Sequence, residues 1–220
     1  MQPAMTDQSG DDAVLARIRG GDSAAFEQIM RRHNQRLFRA ARAVVKDDAE
    51  AEDVVQQAYV SAFTHLAGYE GRAQLSTWLL RIVLHEALGR LRARGRTASL
   101  DDAAAGEEWD VPTNARSPED AASDRELVAI VETSIDTMPD AFRTVFMLRA
   151  VEGMSAAEVA EALDVPEETV RTRLHRARAH LQRALVDGAD RATPRAFEFL
   201  RERCDRIVAA VLARIGPSAH

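Results

Sequence analysis

Apolar residues recur at intervals of three and four along most of this chain, the spacing that places them on one face of an α-helix. In the first half the pattern predicts helices at residues 11–19, 23–45, 49–66 and 75–91. In the second half it predicts helices at residues 119–136, 141–151 and 194–215, with a helix pair within 153–183. No stretch alternates apolar and polar positions as a half-buried strand would. The pattern therefore predicts an all-α protein.

The helix pair at residues 153–183 has a strongly specified corner. Ser155 and Glu158 form an S-x-x-E capping box, which satisfies free amide groups at a helix start. Asp164 and Val165 then precede Pro166, and proline disfavours helical geometry in the residue before it. Pro166 itself suits the first turn of the second helix. Two short helices with this corner are typical of a helix-turn-helix.

The second helix of the pair has an apolar side and a basic side. Its predicted inward positions are Val170, Leu174, Ala177 and Leu181. Its remaining surface carries Arg171, Thr172, Arg173, His175, Arg176 and Arg178. A basic second helix of this kind enters the major groove of DNA in helix-turn-helix proteins. The alternative is an ordinary surface helix with an arginine-rich face.

The charge of the chain is distributed unevenly. The formal net charge is −6, which excludes a generally basic nucleic-acid coat protein. Residues 72–96 nevertheless carry six Arg against Glu86, and residues 165–183 carry five Arg against two Glu. Between them, residues 97–126 carry nine Asp or Glu against two Arg. Two basic patches separated by an acidic spacer indicate two contacts with one polyanion, although charge runs can also be simple solvent-facing surfaces.

The helix predicted at residues 49–66 has an outer surface of a different kind. This surface, called the acidic face below, carries Glu52, Asp53, Gln56 and Gln57, with Val60 and Phe63 beside them. Carboxylates and amides next to exposed apolar residues indicate a protein-docking surface rather than a DNA-binding one. Alternatively, Val60 and Phe63 complete a core between three helices.

The helix predicted at residues 75–91 combines an apolar side with a polar stripe that ends in a basic segment. The stripe comprises Thr77, Arg81, His85 and Arg92, and the helix runs into LRARGR. Arginines near an aromatic residue suit binding of single-stranded or melted nucleic acid, where cations follow phosphates and bases stack on side chains. Trp78 could supply that stacking or could lie in the core.

Other features bound the range of functions. Cys204 is the only cysteine, so a disulfide framework or a cysteine-rich zinc site is excluded, and its place on an apolar stripe favours inert packing. No phosphate-binding glycine loop, clustered metal ligands or catalytic constellation is recognisable, so we expect no enzyme activity, no metal and no cofactor. The absence of a signal peptide or of an apolar run of membrane-spanning length predicts a cytoplasmic protein without membrane insertion.

Four motifs in order resemble the extracytoplasmic-function group of bacterial RNA polymerase sigma factors. They are AFEQIMRRHNQRLFRAARAVV, DAEAEDVVQQAYVSAF, LSTWLLRIVLHEALGRLR and MPDAFRTVFMLRAVEGMSAAEVAEAL followed by EETVRTRLHRARAHL. The resemblance covers residues 22–96 and 138–185. It implies two helical domains, called region 2 and region 4, joined by a linker, and a non-catalytic subunit that directs core polymerase to promoters and helps melt the −10 element.

The resemblance also implies a domain plan. Residues 1–10 are expected to be disordered, and residues 11–96 to form the region 2 domain. Residues 97–122 would be an acidic linker that threads basic channels of the polymerase. Residues 123–187 would form the region 4 helix-turn-helix domain. Residues 194–215 lie outside the family core as a C-terminal amphipathic helix, which either packs on one of the domains or binds a partner.

The resemblance further assigns roles to individual residues. The helix spanning Asp47–Phe63 would bind the beta-prime clamp helices of core polymerase through Asp53, Gln56, Gln57 and Tyr59. The −10 element would be contacted by Arg72, Thr77, Trp78, Arg81 and His85. The −35 element would be contacted by Glu168, Arg171, Thr172, Arg173, His175 and Arg176. The beta flap of the polymerase and an anti-sigma factor are the other implied partners.

Three positions depart from the family pattern. His85 stands where members often carry Asn, and Gln57 stands where they usually carry Glu. Glu168 occupies a position that is commonly Gly, and its carboxylate could repel phosphate or accept a hydrogen bond from a cytosine amine. The rival hypotheses are a helix-turn-helix regulator and a sigma-like decoy that binds an anti-sigma factor without initiating transcription.

Overall fold

The computed structural model describes residues 8–94, 124–184 and 201–215, and in these ranges the regular structure is entirely helical. The chain divides into two compact units, residues 1–90 with 199–220, and residues 91–198. The helices are α1 Gln8–Arg19, α2 Phe26–Val45, α3 Asp48–Thr64, α4 Leu75–Ala93, α5 Asp124–Thr137, α6 Asp140–Phe146, α7 Ala156–Leu163, α8 Glu167–Ala184 and α9 Arg201–Ile215.

The first unit is built around α2, the most extensively buried helix. Phe26, Leu37 and Phe38 are almost wholly removed from solvent. The ring of Phe26 meets those of Tyr59 and Phe63 of α3 edge-on, with centroids 5.9 and 5.2 Å apart. Such edge-to-face contacts add to the stabilisation from burial alone. The α2–α3 pair is therefore the framework on which the other helices of this unit pack.

The turn between α2 and α3 is fixed by its sequence. Lys46 adopts the left-handed conformation with φ 65° and closes α2 by donating its backbone N–H to Arg42. The Asp47 side chain then accepts a hydrogen bond from the backbone N–H of Glu50 at 2.8 Å. An aspartate at this N-cap satisfies a free backbone amide, and its negative charge interacts favourably with the positive end of the helix dipole. Only two residues are thus needed to reverse the chain.

A buried ionic cluster attaches α1 to α2. His33 is wholly buried and its Nε2 lies 3.1 Å from Asp11 Oδ2, while Arg32 donates to Asp11 Oδ1 at 2.8 Å. Burial alone would raise the pKa of Asp11, but these hydrogen bonds outweigh it and hold the pKa below its usual value. The α1 helix therefore contributes a charged partner, as well as apolar side chains, to the core.

In the second unit α8 packs against α5, α6 and α7, and α7 also contacts the segment Met147–Val151. Met147–Val151 forms a π-helical turn after α6, where the sequence pattern predicted that the helix would continue. Arg143 is wholly buried in this unit, donating to the Met138 carbonyl at 3.2 Å and to Asp140 Oδ1 at 3.0 Å. This guanidinium fastens the turn between α5 and α6 from inside the core.

The structure changes one prediction at the start of the chain and decides between two alternatives at its end. α1 begins at Gln8, so residues 8–10 are helical rather than disordered. The C-terminal helix α9 packs on α3 and α2, so it forms part of the first unit. The expected linker at residues 97–122 and the start of the C-terminal helix at residue 194 lie outside the described residues.

Candidate functional site

The corner between α7 and α8 has the expected helix-turn-helix geometry. Ser155 Oγ accepts from the Glu158 backbone N–H at 3.1 Å, and Glu158 Oε2 accepts from the Ser155 backbone N–H at 2.8 Å. Asp164 ends α7 in the left-handed conformation with φ 54°. Pro166 follows, and its carbonyl accepts the first helical hydrogen bond from Val170. The capping box and the corner fix the direction in which α8 leaves α7.

One side of α8 is exposed and basic. Its exposed residues include Glu168, Arg171, Thr172, His175, Arg176 and Arg178. Arg171 makes ion pairs with Glu167 at 3.0 Å and Glu168 at 3.6 Å, so its guanidinium is held near the helix start. Arg176 lies with its guanidinium carbon 6.0 Å from the Phe142 ring centroid. Both arginines thus lie on the exposed side of α8, each beside a neighbouring side chain.

Arg173 does not share this surface. It is 7% exposed, on the side of α8 that also buries Val170 and Ala177. The prediction that Arg173 contacts DNA is therefore corrected, because its side chain belongs to the packing of the second unit. Leu174, predicted to point inward, is only half-buried. The actual apolar side of α8 is rotated slightly from the predicted one.

The residues predicted to contact the −10 element occupy different depths. Arg72 and His85 are exposed, and Arg81 is half-buried. Arg72, in the loop before α4, makes an ion pair with Glu70 at 2.6 Å. Trp78 is half-buried and packs on Tyr69, with ring centroids 5.2 Å apart and planes tilted by 45°. Trp78 thus combines a packed face with a partly accessible one.

Thr77 is excluded from the surface of α4. It is 5% exposed, beside the equally buried Leu75 and Ser76. The first turn of α4 is covered on several sides, so a residue at the start of the predicted polar stripe does not reach solvent. The prediction that Thr77 contacts the −10 element is corrected on this ground.

The predicted docking residues on α3 are also separated by the structure. Asp53 is exposed, and Gln56 and Gln57 are half-buried. Tyr59 is wholly buried and donates its hydroxyl to the Met30 carbonyl at 3.2 Å. Burial, with a smaller effect from Cys204, raises the pKa of Tyr59. Tyr59 is therefore a core residue in this conformation rather than part of a docking surface.

Sequence reasoning missed the arginines of α9 that contact the acidic face. Arg203 and Arg206 bind Glu52, and Arg214 donates to Gln57 Oε1 at 2.6 Å. The available signal was the recurrence of arginine beside the apolar stripe of residues 201–215. That signal shows an amphipathic basic helix, but it does not say which acidic surface the helix meets.

Within the described ranges there is no group of three or more His, Cys, Asp or Glu side chains that could hold a metal ion. None of the helices described for this chain is both long and apolar enough to cross a bilayer.

Family models match both units of the chain. Sigma-70 region 2 matches residues 29–97, and Sigma-70, region 4 matches residues 129–181. The first match spans α2 to α4, and the second includes the helix-turn-helix of α7 and α8. The predicted surfaces of α3 and α4 therefore lie within the first matched region, and the exposed side of α8 lies within the second.

Relatives and solved structures extend this match over most of the chain. The RNA polymerase sigma-H factor of Pseudomonas aeruginosa is 32% identical over 82% of this chain and 96% of its own length. The ECF RNA polymerase sigma factor SigW of Bacillus subtilis is 30% identical over 79% and 95%. The ECF RNA polymerase sigma-E factor of Haemophilus influenzae is 33% identical over 81% of this chain and 96% of its own length.

Two solved complexes share the fold. CnrH in complex with the cytosolic domain of CnrY is 28% identical, covers 78% of this chain and 94% of its own, and superposes with a TM-score of 0.52. The sigma factor RpoE of Bartonella quintana, in complex with the anti-sigma factor NepR, is 24% identical over 74% and 98%, with a TM-score of 0.53. By sequence and by fold, this chain belongs to the extracytoplasmic-function group of RNA polymerase sigma factors.

Proposed function

We propose that this protein binds core RNA polymerase, directs it to specific promoters and helps open the DNA at the −10 element. The observation that carries this proposal is the presence of both sigma regions on one chain, with relatives matched over more than nine-tenths of their own length. The function needs no catalytic step from this chain, since polymerase supplies the chemistry. Its place of action is the cytoplasm, where the polymerase works.

We assign −35 reading to the exposed side of α8. Arg171 and Arg176 can each donate two hydrogen bonds to a guanine edge in the major groove. Thr172 and His175 lie between them on the same exposed side, and Glu168 adds an acceptor near the helix start. The fixed corner at Asp164 supports this assignment, because specificity requires side chains held in one register.

We assign −10 recognition to α4 and the loop before it. Arg72 and His85, which are exposed, and Arg81, which is half-buried, supply cationic or hydrogen-bonding groups. Trp78, packed on Tyr69, could present its accessible face to an unstacked base. This combination suits a melted strand better than a closed duplex.

We assign polymerase docking to the acidic face of α3. Asp53 is the exposed carboxylate of that face, and Gln56 and Gln57 lie on the same surface with partial exposure. An acidic and amide-rich face suits basic helices such as the beta-prime clamp helices. The beta flap is the expected partner of the second unit, and an anti-sigma factor is a further expected partner.

Association with core polymerase tests this function against a DNA-binding regulator. The purified full-length protein is mixed with core polymerase and separated by size, with Asp53→Arg as the variant and Asp12→Arg as the matched control. Asp53 lies on the acidic face, whereas Asp12 is an exposed aspartate of α1. We expect the parent and the control to co-elute with core and Asp53→Arg to be depleted. Failure of the parent to co-elute would contradict the proposal.

A further inference from the structure

Arg203 joins α9 to the N-terminal half of α3. Its guanidinium lies 2.7 Å from Asp48 Oδ2 and 2.9 Å from Glu52 Oε1. The guanidinium carbon also stands 4.2 Å from the centroid of the Phe38 ring in α2. With 18% of its side chain exposed, Arg203 combines two ion pairs with a cation–π contact in a partly desolvated position. It is the central polar contact of α9.

Further polar contacts surround Arg203. Arg206 binds Glu52 at 2.7 Å, and Arg31 of α2 binds Asp205 at 2.6 Å. At the other end of α9, Arg214 donates to Gln57 at 2.6 Å. α9 therefore contacts α3 from the first turn of α3 to Gln57. In these contacts, arginine side chains of α9 bind carboxylates and one amide of α3.

An apolar seam lies beneath these contacts. Ile207, Val208 and Val211 are buried, with Ile207 and Val211 wholly removed from solvent. Fully burying an aliphatic side chain stabilises a packed state by about 1.5–3 kcal/mol relative to exposure. Cys204 is half-buried and accepts a hydrogen bond from Asn34 Nδ2 at 3.0 Å. Burial of apolar side chains thus holds α9 against the first unit, and the ion pairs set its orientation.

The surface of α3 that α9 contacts overlaps the surface that we assign to polymerase docking. Glu52 and Gln57 belong to the acidic face, and both are engaged by α9 arginines. We propose that α9 is an intramolecular cover on the acidic face of α3, which core polymerase must displace in order to dock. The inference rests on the proposed function, because it takes that face as the docking surface.

The contacts suit a cover that can be displaced. Arg206 and Asp205 are more than half exposed, and exposed ion pairs contribute little net stability. A basic partner can replace the arginines of α9 without leaving Glu52 or Gln57 unsatisfied. A protein whose docking surface is covered most of the time binds with an affinity reduced by the uncovered fraction. Loosening α9 should therefore strengthen binding to core polymerase.

Charge reversal on α9 tests the cover in the full-length protein. Arg203→Glu places a carboxylate against Asp48 and Glu52, whereas Arg201→Glu makes the same charge change at an exposed position of the same helix. Labelling of Cys204, the single cysteine, by a maleimide reports release of α9 in the free protein. Titration of core polymerase with each variant then gives the dissociation constant.

We expect Arg203→Glu to label faster and to bind core polymerase about tenfold more tightly, while Arg201→Glu matches the parent.

Val211→Asp releases α9 in a second, independent way, because it puts a carboxylate at a wholly buried position. Ala213→Asp is its exposed control. Faster labelling in either variant with unchanged or weaker core binding would overturn the cover. If neither the parent nor any variant binds core, the proposed function fails and the inference falls with it. If the parent binds core normally and only the cover prediction fails, the proposed function stands.

Discussion

Arg143 is a single residue on which the second unit depends. Its wholly buried guanidinium donates to the Met138 carbonyl and to Asp140, tying together the turn between α5 and α6. Arg143→Ala would leave a cavity and unpaired polar groups, so we expect it to lower the free energy of unfolding by about 3 kcal/mol. Urea unfolding of the full chain measures this, with Arg178→Ala as an exposed control. Equal midpoints for the two variants would contradict the structural role of Arg143.

Asp11 makes the stability of the first unit sensitive to acid. Its pKa is held below the usual 3.8 because the hydrogen bonds from His33 and Arg32 outweigh burial. A carboxyl group with a lowered folded-state pKa stabilises the fold above its unfolded pKa, and this stabilisation is lost as the pH falls through the folded pKa. We expect Asp11→Asn to be less stable near neutral pH and to lose less stability on acidification. Unfolding measured from pH 6 to pH 2, with exposed Asp12→Asn as control, checks both effects; parallel pH profiles for parent and Asp11→Asn would refute them.

Among the elements, α7 depends on its capping box. Ser155 and Glu158 exchange hydrogen bonds between side chain and backbone at the helix start. Ser155→Ala should lower the free energy of unfolding by about 1 kcal/mol and reduce amide protection in the first turn of α7. Hydrogen exchange of the full chain resolves this turn from the remainder of the unit. Unchanged protection there would show that the corner is held by packing instead.

We expect the exposed side of α8 to affect promoter specificity and its buried side to affect stability. Arg176→Ala on the exposed side should lower −35-dependent transcription, since a good base contact contributes roughly 1–3 kcal/mol. Arg173→Ala on the buried side should lower the unfolding midpoint, because Arg173 is 7% exposed. Promoter output at saturating protein and urea unfolding are measured for both. Unchanged promoter output for Arg176→Ala, or an unchanged unfolding midpoint for Arg173→Ala, would contradict this division.

The sequence pattern predicted the helices well because their apolar spacing, caps and breaks are local signals. The capping box of α7 and the stop at Asp164 are set by residues within one turn of each other. It failed at Arg173 and Thr77, whose polar side chains suggested surface positions. Their burial depends on how each helix is rotated against its neighbours, and long or hydroxyl-bearing side chains can find internal partners. The apolar periodicity of one helix does not reveal how that helix is rotated against its neighbours.

At the scale of the whole molecule, the position of α9 was the feature least accessible to sequence reasoning. Its amphipathic stripe required a partner, but any apolar groove could have supplied one. The packing of α9 on α2 and α3 depends on the pairing of Arg203 with Glu52 and Asp48, which lie 151 and 155 positions earlier in the chain. Such pairing is a tertiary property, so only the three-dimensional arrangement reveals it.

The distribution of charge over the molecule fits a subunit that works only within a larger complex. A net charge of −6 opposes free binding to DNA, although the exposed side of α8 and the end of α4 are locally basic. If core polymerase holds both surfaces at promoter spacing, the second contact becomes effectively intramolecular, which raises avidity without new contacts. We therefore expect weak binding to promoter DNA by the free protein and strong binding by its complex with core polymerase.

Run-off transcription tests the central claim most directly. Core polymerase is supplied with fragments of the source genome, with and without the purified protein, and the 5′ ends of the transcripts are mapped. We predict new transcripts that start at discrete sites and share two upstream elements at a constant spacing. Transcription that depends on the farther element should be lower with Arg176→Ala. Binding of the protein to core polymerase without any new start would contradict a promoter-directing function and favour a decoy.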